Sequence, residues 1–156
     1  MVTIKEVKSY LNGARNINKQ LKILEKALVN VVEDDINIVP AYGKDYVDSG
    51  RVSKPTEEEA IKLDDIRARI RSKKIDYSNI LFDRIELLDA SLDMASLDNR
   101  ILKERYINSL SWNNISRDTL YSVKYLMRIH SRAIKKITKY VNNSLYWQER
   151  IMVQET

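Results

Sequence analysis

The sequence predicts an all-α fold, and three of its features lead to that prediction. Only three glycines and two prolines occur in 156 residues, and both residue types interrupt long helices. Apolar residues recur at steps of three and four over long stretches, which is the spacing of one helix face. Residues that commonly cap helices precede these stretches at Thr3, Thr56, Ser96, Ser111 and Ser122. We therefore expect a hairpin of long N-terminal helices followed by a C-terminal unit of three helices.

Length and composition predict a cytoplasmic protein of one domain, or of a small domain with an extended arm. Apolar residues make up 44% of the chain, which is enough for a core. The absence of cysteine excludes disulfides, thiolate catalysis and zinc fingers, and it fits a reducing compartment. The N-terminus has no apolar signal region. No apolar run approaches the roughly 20 residues that cross a bilayer, so no membrane partner is expected.

The first helix is predicted to extend from Ile4 to Val32. Thr3 and Glu6 have the spacing of a capping box, which would start it. Its apolar face consists of Ile4, Val7, Leu11, Ala14, Ile17, Leu21, Leu24, Leu28 and Val31. Because this face is longer than a lone surface helix needs, we expect it to pack on a second long helix or on another copy of the chain.

Residues 33–55 are predicted to break the helical pattern, because they hold both prolines and two of the three glycines. Their apolar residues are too many for a free linker: Ile36, Ile38, Val39, Tyr42, Tyr46 and Val47. Two interpretations remain open. One is a packed loop, and the other is an arm that binds a partner or is exchanged between copies.

A second long helix is predicted to begin after Thr56, which has capping-box spacing to Glu59. Its apolar face consists of Leu63, Ile66, Ile70, Tyr77, Leu81, Ile85, Leu88 and Leu92. A basic cluster, comprising Arg67, Arg69, Arg71, Lys73 and Lys74, lies among the acidic residues Asp64, Asp65, Asp76 and Asp83. We interpret this cluster as a solvated face, with auxiliary phosphate contacts as the alternative. Residues 1–95 would then form a helical region for oligomerisation or interaction.

Residues 96–143 are predicted to form a compact helical unit. Ser96 precedes a helix whose core positions are Leu97, Ile101, Tyr106 and Leu110. Ser111 precedes a short helix from Trp112 to about Arg117, and Ser122 precedes a long helix from Val123 to Val141. The long helix should pack on Trp112 and Ile115 through the residues Leu126, Ile129, Ala133, Ile137 and Val141. The order of helix, short helix, turn and long helix is that of a helix-turn-helix domain.

Positive charge is concentrated on the last two of these helices. Residues 111–143 contain seven Lys or Arg and a single acid, Asp118, so their net charge of +6 exceeds the +5 of the whole chain. A run of charge is usually only a solvated face. Here, however, the cations Lys124, Arg128, Arg132 and Lys135, together with Ser131, lie away from the apolar face. This arrangement predicts double-stranded DNA as a partner.

The segment TLYSVKYLMRIHSRAIKKI resembles the final helix of sigma-70 region 4. It is more similar to small phage regulators of that kind, the late transcription activators of the ArpU and RinA type. The residues that carry the resemblance are Trp112 with Ile115, the pair Tyr121-Ser122, and the run 128–134.

The resemblance covers about residues 97–140 and implies a surface that reads DNA. Position by position, that surface consists of Val123, Lys124, Tyr125, Met127, Arg128, Ser131 and Arg132. Lys135 joins it because it lies on the same side of the helix. One position departs from the family pattern: Leu120 occupies a turn position that often holds glycine. A bulky residue disfavours a left-handed turn, so we expect a rebuilt turn or a different angle between the two helices.

Nothing in the sequence predicts catalysis, a cofactor or a metal. His130 is the only histidine, and no zinc-binding, calcium-binding or phosphate-cradling motif is present. We therefore interpret His130 as a structural or phosphate-contacting residue. The protein is not expected to be an enzyme.

The tail, residues 144–156, is too apolar for a disordered end. Its apolar residues are Leu145, Tyr146, Trp147, Ile151 and Met152. We expect it to dock on the protein's own core, and a patch facing a partner is the alternative.

Taken with the resemblance, the residues predict a sequence-specific transcriptional regulator of a phage or other mobile element. The resemblance implies activation of late genes. The N-terminal helices would form a homo-oligomer, with a dimer favoured, or contact host RNA polymerase. Two alternatives stay open at this point. One is a small terminase subunit for DNA packaging, and the other is a helical protein-interaction or inhibitor module. The basic surface favours DNA binding over the latter.

Overall fold

The computed structural model describes residues 1–36 and 57–153, and all regular structure in that part of the chain is helical. The elements are α1 (Ile4–Arg15), α2 (Ile17–Ile36), α3 (Glu57–Ser91), α4 (Leu97–Leu102), a π-helical segment (Lys103–Ile107), α5 (Trp112–Thr119), α6 (Val123–Asn142) and α7 (Leu145–Met152). The prediction of an all-α fold is thereby confirmed for the described residues.

The chain forms two compact units. Unit 1 consists of Met1–Gln20 and Tyr77–Thr156, and unit 2 consists of Leu21–Asp76. The N-terminal helix therefore belongs to the same unit as the C-terminal helices, because α1 packs on α6 and α7.

The predicted N-terminal helix is interrupted. Both hydrogen bonds of the Thr3–Glu6 capping box are present and start α1 as predicted. The helix then breaks at Asn16, and α2 runs from Ile17 to Ile36, beyond the predicted end at Val32. A hydrogen bond to a residue far along the chain fixes the start of α2, since the side-chain amide of Asn18 donates to a backbone carbonyl of the π-helical segment.

The core of unit 1 joins α1, the end of α3, α4, α6 and α7. Its buried members are Val2, Val7, Tyr10, Leu11, Leu87, Leu88, Leu92, Leu102, Tyr106, Ala133, Ile134, Ile137, Val141, Trp147 and Ile151. Ile4, predicted to lie on the core face, is 42% exposed. Val2 is buried instead, because its backbone N–H and C=O bond the side-chain amide of Asn142 at 2.7 and 2.9 Å.

A buried arginine explains the glycine of α1. The Arg84 side chain lies over the Tyr10 ring, 3.8 Å from its centroid, and its Nε donates to the Tyr10 carbonyl at 3.1 Å. A Cβ at position 13 would stand 3.3 Å from the Arg84 guanidinium. Gly13 therefore leaves space for a charged group that the core encloses.

The second long helix occurs as predicted, as α3. Thr56 and residues 37–55 lie outside the described residues, so the predicted cap and most of the predicted loop do too. The predicted loop start at Glu33 is wrong, because α2 continues to Ile36. Of the predicted apolar face, Leu88 and Leu92 are buried, whereas Ile66 is exposed. The remaining predicted positions are half-buried: Leu63, Ile70, Tyr77, Leu81 and Ile85.

The tail docks on the core, as predicted. Ser144 precedes α7, and Trp147 and Ile151 are buried against the core of unit 1. The other apolar side chains of this end remain exposed: Leu145, Tyr146, Met152 and Val153.

Candidate nucleic-acid interface

Local hydrogen bonds define where the basic helices begin. The hydroxyl of Ser111 accepts from the Asn114 N–H at 3.2 Å, and the hydroxyl of Ser122 accepts from the Tyr125 N–H at 3.2 Å. Ser96 caps α4 in the same way. The predicted caps at these three serines are thus confirmed, because a cap needs only residues three apart in sequence.

The turn between α5 and α6 differs from the expectation for its sequence. Leu120 adopts the left-handed conformation, with φ 61° and ψ 14°, and its side chain is 91% exposed. Of the two expected alternatives, the rebuilt turn is wrong, because Leu120 adopts the left-handed conformation itself, whereas a different angle between the two helices stays a prediction. The Ser116 hydroxyl donates to the Tyr121 carbonyl at 2.6 Å across the turn and holds its far side. Burial between the helices then outweighs a backbone strain of about 1–2 kcal/mol.

A small apolar cluster fixes α5 against α6. Ile101, Ile115, Leu126 and Ile129 are buried in it. Leu97, Leu110 and Trp112 pack on it while partly accessible. The predicted apolar face of α6 is buried along its length, together with Ile134, which the prediction omitted. Because this face is covered, the opposite face of α6 must point to solvent.

The eight predicted DNA-contacting residues lie on that opposite side of α6. Seven of them border a single open surface depression: Val123, Lys124, Met127, Arg128, Ser131, Arg132 and Lys135. The eighth, Tyr125, is exposed and lies beside Tyr121, with 5.1 Å between the ring centroids. Seven of the eight predicted residues therefore share one surface in the structure, and Tyr125 is exposed on the same helix.

Three cations of this surface have no carboxylate partner in the part of the chain that the structure describes. No Asp or Glu of the described residues lies within ion-pair distance of Lys124, Arg128 or Lys135. Arg132 differs, because its guanidinium is 2.7 Å from the carboxylate of Asp98. On this surface, positive charge without a carboxylate partner among the described residues therefore lies at Lys124, Arg128 and Lys135, but not at Arg132.

Asp98 is a residue of this site that sequence reasoning missed. It is buried in the first turn of α4, and its two oxygens accept from Arg132 at 2.7 Å and from Lys136 at 2.8 Å. Burial raises the pKa of this carboxyl, but the hydrogen bonds from Arg132 and Lys136 outweigh it and hold the pKa below its usual value. Asp98 lies more than thirty positions before Arg132 and Lys136, so no local sequence pattern predicts that they form an ion pair.

His130 is part of the packing behind this surface. Its Nε2 is 2.8 Å from the Tyr106 hydroxyl, and its ring meets the Trp112 ring edge to face at 5.2 Å. Burial, with the nearby charges of Lys8 and Arg105, lowers the pKa of His130 to about 4. The ring is therefore neutral at pH 7, which favours the structural interpretation over phosphate contact.

The basic cluster of α3 has different surroundings. Arg67 pairs with Asp64 at 3.1 Å, Arg69 with Asp65 at 3.4 Å, and Lys74 reaches a carboxylate of α2, that of Glu25, at 3.1 Å. These pairs support the interpretation of this cluster as a solvated face.

Comparisons with protein-family models, with curated proteins and with solved structures gave no significant match. Within residues 1–36 and 57–153, no helix combines the length and apolarity needed to cross a membrane. Those residues also contain no group of three acidic or histidine side chains placed to bind a metal.

Proposed function

We propose that this protein is a transcriptional regulator that binds double-stranded DNA sequence-specifically through a helix-turn-helix formed by α5 and α6. One observation carries the proposal. The exposed face of α6 presents Lys124, Arg128 and Lys135 with no carboxylate partner among the described residues, while its other face is buried. Unpaired cations on a rigid helix are what a phosphate backbone attracts, and their desolvation breaks no existing ion pair.

The arrangement also suits base contacts. A single α-helix fits the major groove of B-form DNA, and the N-terminal residues of a recognition helix reach the base edges. Arg128 lies one turn after Lys124, so it is the candidate for bidentate bonds to a guanine. Tyr125 and Ser131 supply hydroxyls for phosphates.

The biological setting rests on the resemblance of α5 and α6 to phage late activators. On that basis we propose a non-catalytic role in the transcription of a phage or other mobile element, in the host cytoplasm. Host RNA polymerase is the second macromolecular partner that such a role implies.

The proposal is tested by measuring the salt dependence of DNA binding. Fluorescence anisotropy of a labelled duplex should show an affinity of the full-length protein that falls steeply with salt. Replacing three cations on the exposed face of α6 together (Lys124→Ala, Arg128→Ala, Lys135→Ala) should flatten the plot of log K against log salt. The slope should change by about 0.9 for each phosphate that the variant no longer neutralises.

A matched variant controls for the change of net charge. The substitutions Lys19→Ala, Lys22→Ala and Lys26→Ala remove the same charge from exposed positions of α2, and they should leave the slope unchanged. An equally large drop in affinity for both triple variants would show that net charge alone attracts DNA. Absence of binding at low salt would refute the proposal.

Selection from a random duplex library would then define the preferred site. Enrichment of one sequence supports sequence-specific regulation. Tight binding without enrichment would contradict this and favour a packaging or architectural role.

A further inference from the structure

Unit 2 lacks a core of its own among its described side chains. In residues 21–30 and 57–76, excepting Glu59, no side chain is buried. Five large apolar side chains of this unit are exposed: Ile23, Val29, Ile61, Ile66 and Ile75. Helices owe most of their stability to packing of an apolar face, so unit 2 carries apolar surface that its described part leaves uncovered.

On α3 part of this exposed surface is regular. Ile61, Ala68 and Ile75 follow one another at intervals of seven residues, and all three are exposed, the two isoleucines by 63% and 62%. We call them the outer stripe. Intervals of seven keep side chains on one side of a helix, as they do for either one of the two apolar positions in each coiled-coil heptad.

Leu63 and Ile70 are half-buried and mark another apolar face of α3, which we call the inner face. The outer stripe is not the edge of this inner face. At 3.6 residues per turn, the outer stripe lies roughly 150° around the helix from Leu63 and Ile70. Helix α3 therefore has two separate apolar faces, and the described residues leave the outer one uncovered.

Charge along α3 identifies the kind of partner. Residues 57–66 contain five acids and one lysine, a net charge of −4, whereas residues 67–76 contain five cations and one aspartate, a net charge of +4. A parallel copy would place like charges together. An antiparallel copy would place each acidic half along a basic half, and opposite charges across helices set partner choice and orientation.

We propose that two copies of this protein pair through the outer stripe, with their α3 helices antiparallel and a two-fold axis near Ala68. Ile61 of one copy then meets Ile75 of the other, and the two Ala68 residues meet at the axis. Arg71, which has no carboxylate partner within the described residues, lies beside the stripe and faces Asp64 and Asp65 of the other copy. A two-fold interface of this kind is self-complementary and closes at a dimer.

Because the chain contains no cysteine, single cysteine variants report the geometry directly. Full-length Ala68→Cys should form a covalent dimer on oxidation or with a short bismaleimide, in the absence of DNA. Ile61→Cys and Ile75→Cys should each crosslink poorly alone but crosslink to each other when mixed. Parallel pairing predicts the reverse, with each variant crosslinking to itself. Ile23→Cys, at an exposed isoleucine of α2, is the control and should not crosslink.

Sedimentation equilibrium provides the second test. The unmodified protein should be a dimer at micromolar concentration, and Ile75→Asp should raise the dissociation constant at least about tenfold, whereas Ile23→Asp should not. Circular dichroism should remain unchanged, since Ile75 is exposed. Arg71→Glu should weaken the dimer, and combining it with Asp64→Lys and Asp65→Lys should restore it. A protein that is monomeric at that concentration, or a crosslinking pattern of the parallel kind, would overturn the proposal whatever the outcome of DNA binding.

Discussion

Helices α3 and α6 both carry a run of cations, but the two runs differ in what surrounds them. In α3, three of the five cations of the basic cluster lie within 3.4 Å of a carboxylate of the described residues: Arg67, Arg69 and Lys74. In α6, Lys124 and Arg128 have none within the described residues. The number of cations on a helix is therefore a weaker indication of a DNA partner than whether carboxylates lie within ion-pair distance of those cations.

The cause of this difference is visible in the composition of each helix. Residues 123–142 contain no Asp or Glu, so any compensation of α6 must come from another element. Asp98 supplies it for Arg132 and Lys136 alone among the described cations of α6. Helix α3 carries acids of its own three residues from Arg67 and four residues from Arg69, which are the positions that meet on a helix surface.

The largest effect is expected from removing the packing that holds α6 in place. Leu126 is fully buried, so Leu126→Ala should lower the free energy of unfolding by about 2–5 kcal/mol through the cavity it leaves. Met127, the next residue, is 48% exposed, and Met127→Ala should cost less than about 0.5 kcal/mol. Urea denaturation followed by circular dichroism measures both. Similar costs would mean that the buried and exposed faces of α6 have been interchanged.

A matched pair of arginines compares the two helices for DNA binding. Arg128→Ala should weaken binding to the preferred site by roughly 1–3 kcal/mol and relax base preference. Arg69→Ala, on α3, should have little effect, because Arg69 is 79% exposed but already paired with Asp65. Lys139→Ala should weaken all sequences about equally or do nothing. If Arg69→Ala weakens binding as much as Arg128→Ala, the paired cluster of α3 contacts DNA as well.

Removing the Asp98 carboxylate should leave the cations of α6 without any carboxylate partner among the described residues. Asp98→Asn removes two charge-assisted hydrogen bonds and should lower stability by roughly 1–2 kcal/mol. It also releases Arg132 and Lys136, so non-specific affinity for duplex DNA should rise at low salt and its salt dependence should steepen. Anisotropy titrations against a random duplex measure this. A variant with unchanged salt dependence would show that the two cations face away from DNA.

The smallest effect is expected at the turn. Leu120→Gly relieves a left-handed conformation but increases the freedom of the unfolded chain, so a net stabilisation of about 0.5–1 kcal/mol is expected. Thermal unfolding of the two proteins measures it. Leu120→Ala keeps the Cβ and should give no such gain. Destabilisation by glycine would show that the exposed leucine makes a contact that stabilises the fold.

Parts of the candidate site were predictable because they depend on neighbours in sequence. The caps at Ser111 and Ser122 and the buried face of α6 follow from spacing alone. The exposure of Lys124 and Arg128 follows in turn, since residues opposite a buried stripe must face solvent. The break at Asn16 was not predictable in the same way, because the apolar pattern continues across it.

By itself, then, the sequence determined that the described part of the chain is helical, where α1, α4, α5 and α6 begin, and which side of α6 is polar, since these depend on interactions within a few residues. Only the tertiary structure decided that Asp98 pairs with Arg132 and Lys136, that Leu120 takes a left-handed turn, and that Val2 rather than Ile4 is buried. Each of these outcomes depends on residues far apart in the chain, or on packing energy that overrides a local preference.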